Sequence, residues 1–291
     1  MGEGILLLRA FVKKVEQTVS ARVKKITLSS TQVVDDRVAV EEPLEIQLSF
    51  MSGGVRVVKP ISVTMRTPGQ DAELATGFLQ TEGILQGPGD VEAVRDLGDN
   101  RICVVLRESV EADLARLERH FYTSSSCGVC GKASLEALKM EDVQPFGSSK
   151  PSIPQDVLLR LSEQLRSGQQ AFTQTGGLHA AGLFTPRGAL TVIREDVGRH
   201  NAVDKVVGSM LNAAVDQPTE SMLMVSGRTS FEILQKAIRA GIQVVVAVGA
   251  PSSLAVELAN VFNVTLIGFL TSQRFNIYSA PERVLTSDLE D

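Results

Sequence analysis

The chain has 291 residues, 43% of them hydrophobic, enough to bury two compact cores. A net charge of -5 argues against bulk electrostatic binding to nucleic acid, and three cysteines in a chain this long exclude a disulfide framework. The longest apolar run, Val244 to Ala250, is too short to cross a bilayer, and Arg9 interrupts the apolar Ile5 to Leu8 stretch with no small-residue cleavage site after it, so neither a membrane span nor a signal peptide is expected.

Residues 1 to about 35 mix charged and apolar side chains without a firm period and read as an arm or as a partly disordered segment. From Glu41 the pattern sharpens. Leu44, Ile46, Leu48 and Phe50 alternate with polar residues, as in a half-buried strand. Met51-Ser52-Gly53-Gly54 turns the chain, and Val55 to Met65 returns as a second strand. Asp71 to Leu79 reads as a helix with Leu74, Ala75 and Phe78 on one face. Val91 to Leu97 and Arg101 to Arg107 form another strand pair across Gly98-Asp99-Asn100. The order ββαββ defines a small α+β unit. Cys103 falls inside its last strand and is read as core. Arg66-Thr67-Pro68-Gly69, at a strand end, reads either as a plain loop or as part of a site.

Val110 to Phe121 and Lys132 to Met140 read as amphipathic helices, with His120 near the end of the first and facing solvent. Between them lies Ser124-Ser125-Ser126-Cys127-Gly128-Val129-Cys130-Gly131-Lys132. A loop feeding a helix N-terminus favours thiolate over thiol, and thiolate is the nucleophile. Three readings compete for Cys127 and Cys130. A structural zinc site needs four ligands, and here Cys103 lies in a strand while the histidines are scattered at 120, 179 and 200. A thioredoxin-like dithiol belongs just after the first strand of a βαβ unit, whereas this pair follows a helix. The third reading is a sulfur-handling loop in which one cysteine carries a persulfide. An exposed Cys-x-x-Cys fits a reducing cytosol, so a cytoplasmic location is expected.

Pro145 to Pro154 is a connector, and Gln155 to Arg166 is again amphipathic. Thr175-Gly176-Gly177-Leu178-His179-Ala180-Ala181-Gly182 opens a second domain with small residues that admit another backbone or a ligand. Ala189 to Arg194 is a strand, after which Asp196 is expected to cap a helix running to about Ala213. Arg199, His200 and Asp204 crowd its first turns, and His200 and Asp204, four apart, share a face. The remainder alternates. Ser221 to Val225, Ile242 to Val248 and Val264 to Leu270 read as strands, and Phe231 to Ala240 and Leu254 to Phe262 as helices. This βαβαβ pattern predicts a mainly parallel sheet with right-handed crossovers. Ligands of such sheets bind beyond the strand C-termini. There, Ser226-Gly227-Arg228-Thr229-Ser230 and Gly249-Ala250-Pro251-Ser252-Ser253 each open a helix, which suits an anion or phosphate. Simple N-caps account for Thr229 and Ser252 as well. Arg274, in the turn before a final edge strand from Phe275 to Tyr278, is placed to serve the same anion.

Taken together and in this order, MRTPGQDAELATGFLQTEGIL, SSSCGVCG, TGGLHAAG, EDVGRHNAVDK and SGRTSFEILQKA resemble the formate dehydrogenase accessory sulfurtransferase family of FdhD/NarQ type. The similarity runs from roughly Glu41 to Pro281. The resemblance implies an α/β fold in two domains: a small β-grasp-like α+β domain over residues 1–115, and a cytidine-deaminase-like domain over residues 116–291 that carries the Cys-x-x-Cys loop. It implies a sulfurtransferase that takes sulfur from a cysteine desulfurase as a persulfide and passes it to the molybdenum cofactor, Mo-bis-MGD (two molybdopterin guanine dinucleotides), destined for formate dehydrogenase. The family's persulfide cysteine matches Cys127, with Cys130 assisting or resolving. Its cofactor-binding segment matches Phe269, Leu270, Thr271, Ser272, Gln273 and Arg274, although Ser272-Gln273 stands where some relatives have Pro-Gly. Ser226, Arg228, His200 and Arg199 are the further candidate contacts. A homodimer is expected, and no resident metal. Deaminase chemistry itself is excluded: it needs His-x-Glu and Pro-Cys-x-x-Cys, no histidine here precedes x-Glu, and Ser126 precedes Cys127. A non-catalytic chaperone for the cofactor is the alternative reading.

Overall fold

The computed structural model describes residues 16–110, 140, 142–147, 152–213 and 220–286. The Cys127–Cys130 loop, the two helices expected around it and the 115/116 domain border lie outside the described residues.

The smaller body forms as the alternation predicts. Strands β3 (Glu42–Ser52) and β4 (Val55–Arg66) pair antiparallel around the Gly53-Gly54 turn. Helix α1 (Asp71–Thr81) follows, then β5 (Val91–Gly98) and β6 (Arg101–Leu106), giving a four-stranded sheet in the order β4-β3-β6-β5. Leu44, Ile46, Leu48 and Phe50 point to one face and meet Leu74, Ala75 and Leu79 of α1. Each large side chain buried this way contributes about 1.5–3 kcal/mol. Cys103 is 5% exposed, and burial raises its thiol pKa, so it is an inert core residue.

Of the residues up to about 35, read as an arm or as partly disordered, those from Thr18 onward are ordered. Strands β1 (Thr18–Ile26) and β2 (Thr31–Ala39) form an antiparallel ribbon closed through Thr27 and Ser30. Both faces are largely exposed, so no single face imposes the apolar/polar alternation that marks a half-buried strand. A lone hairpin is marginal in water. This one is anchored at its base, where the Thr18 hydroxyl donates to Gln174 Oε1 at 3.3 Å.

In the larger body, β7 (Ile153–Pro154) leads into α2 (Gln155–Gly168) and α3 (Gln170–Thr175). Strands β8 (His179–Phe184) and β9 (Leu190–Asp196) precede α4 (Arg199–Asn212). Then β10 (Met222–Val225), α5 (Phe231–Arg239), β11 (Val244–Ala247), α6 (Ser253–Val261) and β12 (Thr265–Gly268) alternate, and β13 (Asn276–Ser279) closes the edge. Val284–Leu285 (β14) pairs with β7. The sheet order is β13-β12-β11-β10-β8-β9. The expected mainly parallel sheet is a mixed one. Only β10–β11 and β11–β12 pair parallel; β8–β9, β8–β10 and β12–β13 are antiparallel. The cause is local: Thr185 to Gly188 makes a tight turn, which joins neighbours only antiparallel. Helices α4, α5 and α6 cover one face and α2 the other.

The two bodies meet through α1 and α4. A Cβ on Gly77 would lie 1.8 Å from the Asp204 carbonyl oxygen, and one on Gly208 would lie 1.9 Å from that of Glu73. Backbone opposes backbone at both points, so relief requires the helices to separate. Gly208→Ala is expected to cost about 3 kcal/mol or more, at or beyond the top of the usual overpacking range; a melting curve matching the parent would refute the contact.

Buried ion pairs flank this crossing. Lys205 Nζ lies 2.8 Å from Asp196 Oδ2, and both side chains are fully buried. Lys236 Nζ lies 2.9 Å from Asp204 Oδ1, and the Thr81 hydroxyl also bonds Asp204 at 2.7 Å. Arg66, which the sequence left open as a site residue, is 2% exposed and committed to Asp71, Glu42 and Asn100. Thr67 is buried too: its N–H donates to Asp196 and its carbonyl accepts from Lys205. Arg66 and Thr67 therefore hold this segment through internal contacts.

Candidate functional site

Strands β9, β10, β11 and β12 end on one rim, because β8 and β13 are the two that run the other way. The helices that follow the first three, α4, α5 and α6, therefore begin on that rim, and helix N-termini carry partial positive charge. Ser252 caps α6, its hydroxyl accepting from Ala255 N–H at 3.3 Å. Helix α5 starts at Ser230 without a side-chain cap, and Thr229 serves instead in a backbone bridge to Pro251. Asp196 does not cap α4 either. Its carboxylate accepts from Gly198 N–H (2.8 Å), Thr67 N–H (3.1 Å) and Asn201 Nδ2 (3.1 Å) while pairing with Lys205. The buried ammonium of Lys205 needs that counter-charge, and the need outweighs a cap.

Helix α4 thus begins with Arg199 and His200 and no acid in its first turn. Two basic side chains at a positive helix end oppose the dipole, at about 0.3–1 kcal/mol for each one charged. Such a local conflict is tolerated where function needs it. His200 Nε2 sits 2.9 Å from Glu232 Oε2 on α5. That hydrogen bond, working against burial, lowers the Glu232 pKa below the ordinary glutamate value. Asp204, expected beside His200 in the site, is 2% exposed and belongs to the contact with α1.

Close by, Arg199 Nε, Thr229 Oγ1 and Ser230 Oγ are buried without a hydrogen-bond partner among the described residues. Buried polar atoms left unpaired are costly, and functional sites are one place where proteins retain them. Ser226 N–H bonds the Ala180 carbonyl, and its hydroxyl accepts from Ala180 N–H at 2.9 Å, leaving the O–H free to donate. Arg228 is exposed in the turn.

The other sequence-predicted segment lies on the same rim. Phe269 is 43% exposed with φ of 54°, and its N–H bonds the Gly249 carbonyl at 3.1 Å. Leu270 is 1% exposed within the apolar core under α2, so its side chain is packing; its N–H is committed to the Ala247 carbonyl. Thr271 Oγ1 accepts from Gln273 and Arg274 N–H, folding the turn back on itself. Thr271, Ser272, Gln273 and Arg274 line a cavity of about 340 Å³.

One residue on the rim was missed. His179 lies within the small-residue motif Thr175 to Gly182, whose sequence alone assigns it no role. It opens β8 beside Gly227, where a Cβ would lie 3.5 Å from the imidazole Nδ1. Burial first, then Arg199 and His200, lower its pKa against the pull of Asp196, so it is neutral near pH 7. Its signal was the histidine inside a Gly-Gly-flanked strand start, a place where small residues leave room.

The fold is that of a mixed α/β protein, with basic side chains and two cavities along the rim at the carboxyl ends of its parallel strands. The chain belongs to the FdhD/NarQ family, whose model matches residues 39–285. It is 46% identical over 260 residues to the "Sulfur carrier protein FdhD" of Streptomyces coelicolor, covering 86% of this chain and 89% of that one. It is 44% identical over 252 residues to the protein of the same name from Picrophilus torridus, covering 87% and 93%. The crystal structure of a putative formate dehydrogenase accessory protein from Desulfotalea psychrophila superposes with a TM-score of 0.74 at 26% identity, covering 93% of this chain and all of that one.

Proposed function

We propose that this protein is a sulfur carrier that serves formate dehydrogenase, holding the transferred sulfur as a persulfide on Cys127. The carrying observation is the match of residues 39–285 to the FdhD/NarQ family model together with 44–46% identity to relatives named as sulfur carriers, in a chain whose sequence has Cys127 in Cys-Gly-Val-Cys-Gly. In the loading step the Cys127 thiolate attacks the sulfane sulfur of a cysteine desulfurase persulfide. A new S–S bond forms at Cys127, the donor's S–S bond breaks, and the desulfurase cysteine leaves as a thiolate. The acceptor is Mo-bis-MGD as substrate, before its insertion into formate dehydrogenase.

Its phosphates suit Arg199, His200 and the α5 N-terminus, and the segment from Phe269 to Arg274 supplies the second contact region. Within this reading the smaller body is β-grasp-like, the larger one cytidine-deaminase-like with a border near residue 115, and the protein works in the cytoplasm as a homodimer. Intact mass after incubation with desulfurase and cysteine tests the proposal. A sulfur-sized increment that reductant removes is expected; an unchanged mass under conditions where the desulfurase turns over refutes it.

A further inference from the structure

We infer that the end of β4, in the smaller body, positions the first turn of α4, so that the buried Asn201 and Thr67 act on the rim through Arg199 and His200. The inference rests on the proposed function only for the anion that those two basic side chains serve. The contact is built from side chains that interlock across the two bodies. Asn201, 8% exposed in the first turn of α4, donates from Nδ2 to the Met65 carbonyl at 2.8 Å and to Asp196 Oδ1 at 3.1 Å, and its Oδ1 accepts from the Thr64 hydroxyl at 3.1 Å. Thr67 is fully buried. Its hydroxyl accepts from Val197 N–H at 3.2 Å, its own N–H donates to Asp196, and its carbonyl accepts from Lys205. The stretch from Thr64 to Thr67 therefore grips the chain on both sides of Arg199 and His200. Gly198 shows how closely. Its φ of -96° is open to any residue, yet a Cβ there would lie 3.0 Å from Asn201 Nδ2 and 3.3 Å from its Cγ. The glycine makes room for the tucked amide, and no unusual backbone calls for it.

Arg199 and His200 lie between these fixed points. Arg199 Nε has no hydrogen-bond partner among the described residues, so no bond at that atom directs the side chain, and its direction follows the backbone of the turn. His200 is held on its other side by Glu232 of α5. Successive helix residues point about 100° apart, which lets Asn201 face the smaller body while His200 faces α5. Removing the Asn201 amide takes a donor from the Met65 carbonyl and from Asp196, and frees the turn to shift. A binding group is only as well placed as the residues that support it, and a looseness of about 1 Å is enough to spoil a site. His179 reports on the placement. After burial, Arg199 and His200 depress its pKa, with Asp196 pulling the other way. Cations that drift away from an imidazole let its pKa rise.

Asn201→Ala and the isosteric Thr67→Val test the inference in the full-length protein, with GDP as the anion probe in calorimetric titrations well below the melting temperature. Each variant is expected to weaken GDP by about tenfold. NMR titration of the histidines in each is expected to show the His179 pKa raised toward the ordinary imidazole value. Thr81→Val is the stability control. It removes a hydrogen bond to Asp204 in the same contact between the bodies, one turn farther along α4, and is expected to lower the melting temperature while leaving GDP affinity and the His179 titration as in the parent. GDP affinity and His179 titration unchanged in both Asn201→Ala and Thr67→Val overturn the inference. So does an equal loss of GDP binding in Thr81→Val, which makes the effect one of stability alone. A parent protein that binds no GDP overturns the anion assignment of Arg199 and His200, and this inference with it. The sulfur-carrier reading stands in every case, because its mass increment is read without nucleotide.

Discussion

Replacing Cys127 with alanine is expected to abolish the cyanide-labile sulfur that the parent protein acquires from a desulfurase and cysteine, and with it the activation of formate dehydrogenase. The chain has three cysteines, and Cys103 lies in the core with a raised pKa, so it cannot substitute. That leaves Cys127 and Cys130. Cys130→Ala is expected to keep the mass increment, since the proposal puts the sulfur on Cys127. The pair of variants separates three mechanisms. Activation of formate dehydrogenase by Cys127→Ala would refute sulfur carriage and favour a cofactor-binding chaperone. A stable Cys127–Cys130 disulfide without sulfane sulfur would favour redox chemistry.

Leu44 through Phe50 and the β10–α5–β11–α6–β12 alternation were legible because burial on one face, or on both, writes a period into the sequence. The ribbon of β1 and β2 was not, since neither of its faces is buried enough to do so. The βαβαβ strands do pair parallel, but the sheet as a whole is mixed because β8, β9 and β13 join it antiparallel, a direction that follows from connections such as the Thr185–Gly188 turn and not from the apolar period. At the site, Arg199, His200, Ser226 and the turn of residues 271–274 were visible as charged or small residues at helix starts and turns. Asp196 and Asp204 looked like members of the same cluster. Their partners, Lys205, Lys236, Thr67 and Thr81, come from other elements, and only the packing of α1 against α4 shows that both carboxylates face inward. His179, Gln169 and Phe172 meet only when α2 and α3 fold against the strand ends.

The Asp204–Lys236 pair carries the largest expected stability effect. Lys236 Nζ contacts both Asp204 oxygens (2.9 and 3.0 Å), the Thr81 hydroxyl (2.9 Å) and Glu82 (3.2 Å). Burial pushes its pKa down, but Asp204 and Glu82 more than reverse this, so the ammonium is held charged above the ordinary lysine value. The stabilisation it contributes is therefore complete below the unfolded lysine pKa and is lost only as pH rises through the higher folded one. Lys236→Met keeps the stem's packing and strands the Asp204 carboxylate. Removing one partner of a buried pair costs about 3–5 kcal/mol, and that loss is expected in denaturant melts. Burial raises the Asp204 pKa, with Lys236 the main influence opposing it. Without Lys236, the carboxyl takes up a proton more readily folded than unfolded, so the variant should regain stability as pH falls toward mild acid. Adding Asp204→Leu removes the stranded charge, and the double variant should recover most of the loss with no acid dependence. A double variant as unstable as Lys236→Met would show that the stranded Asp204 charge is not the source of the loss.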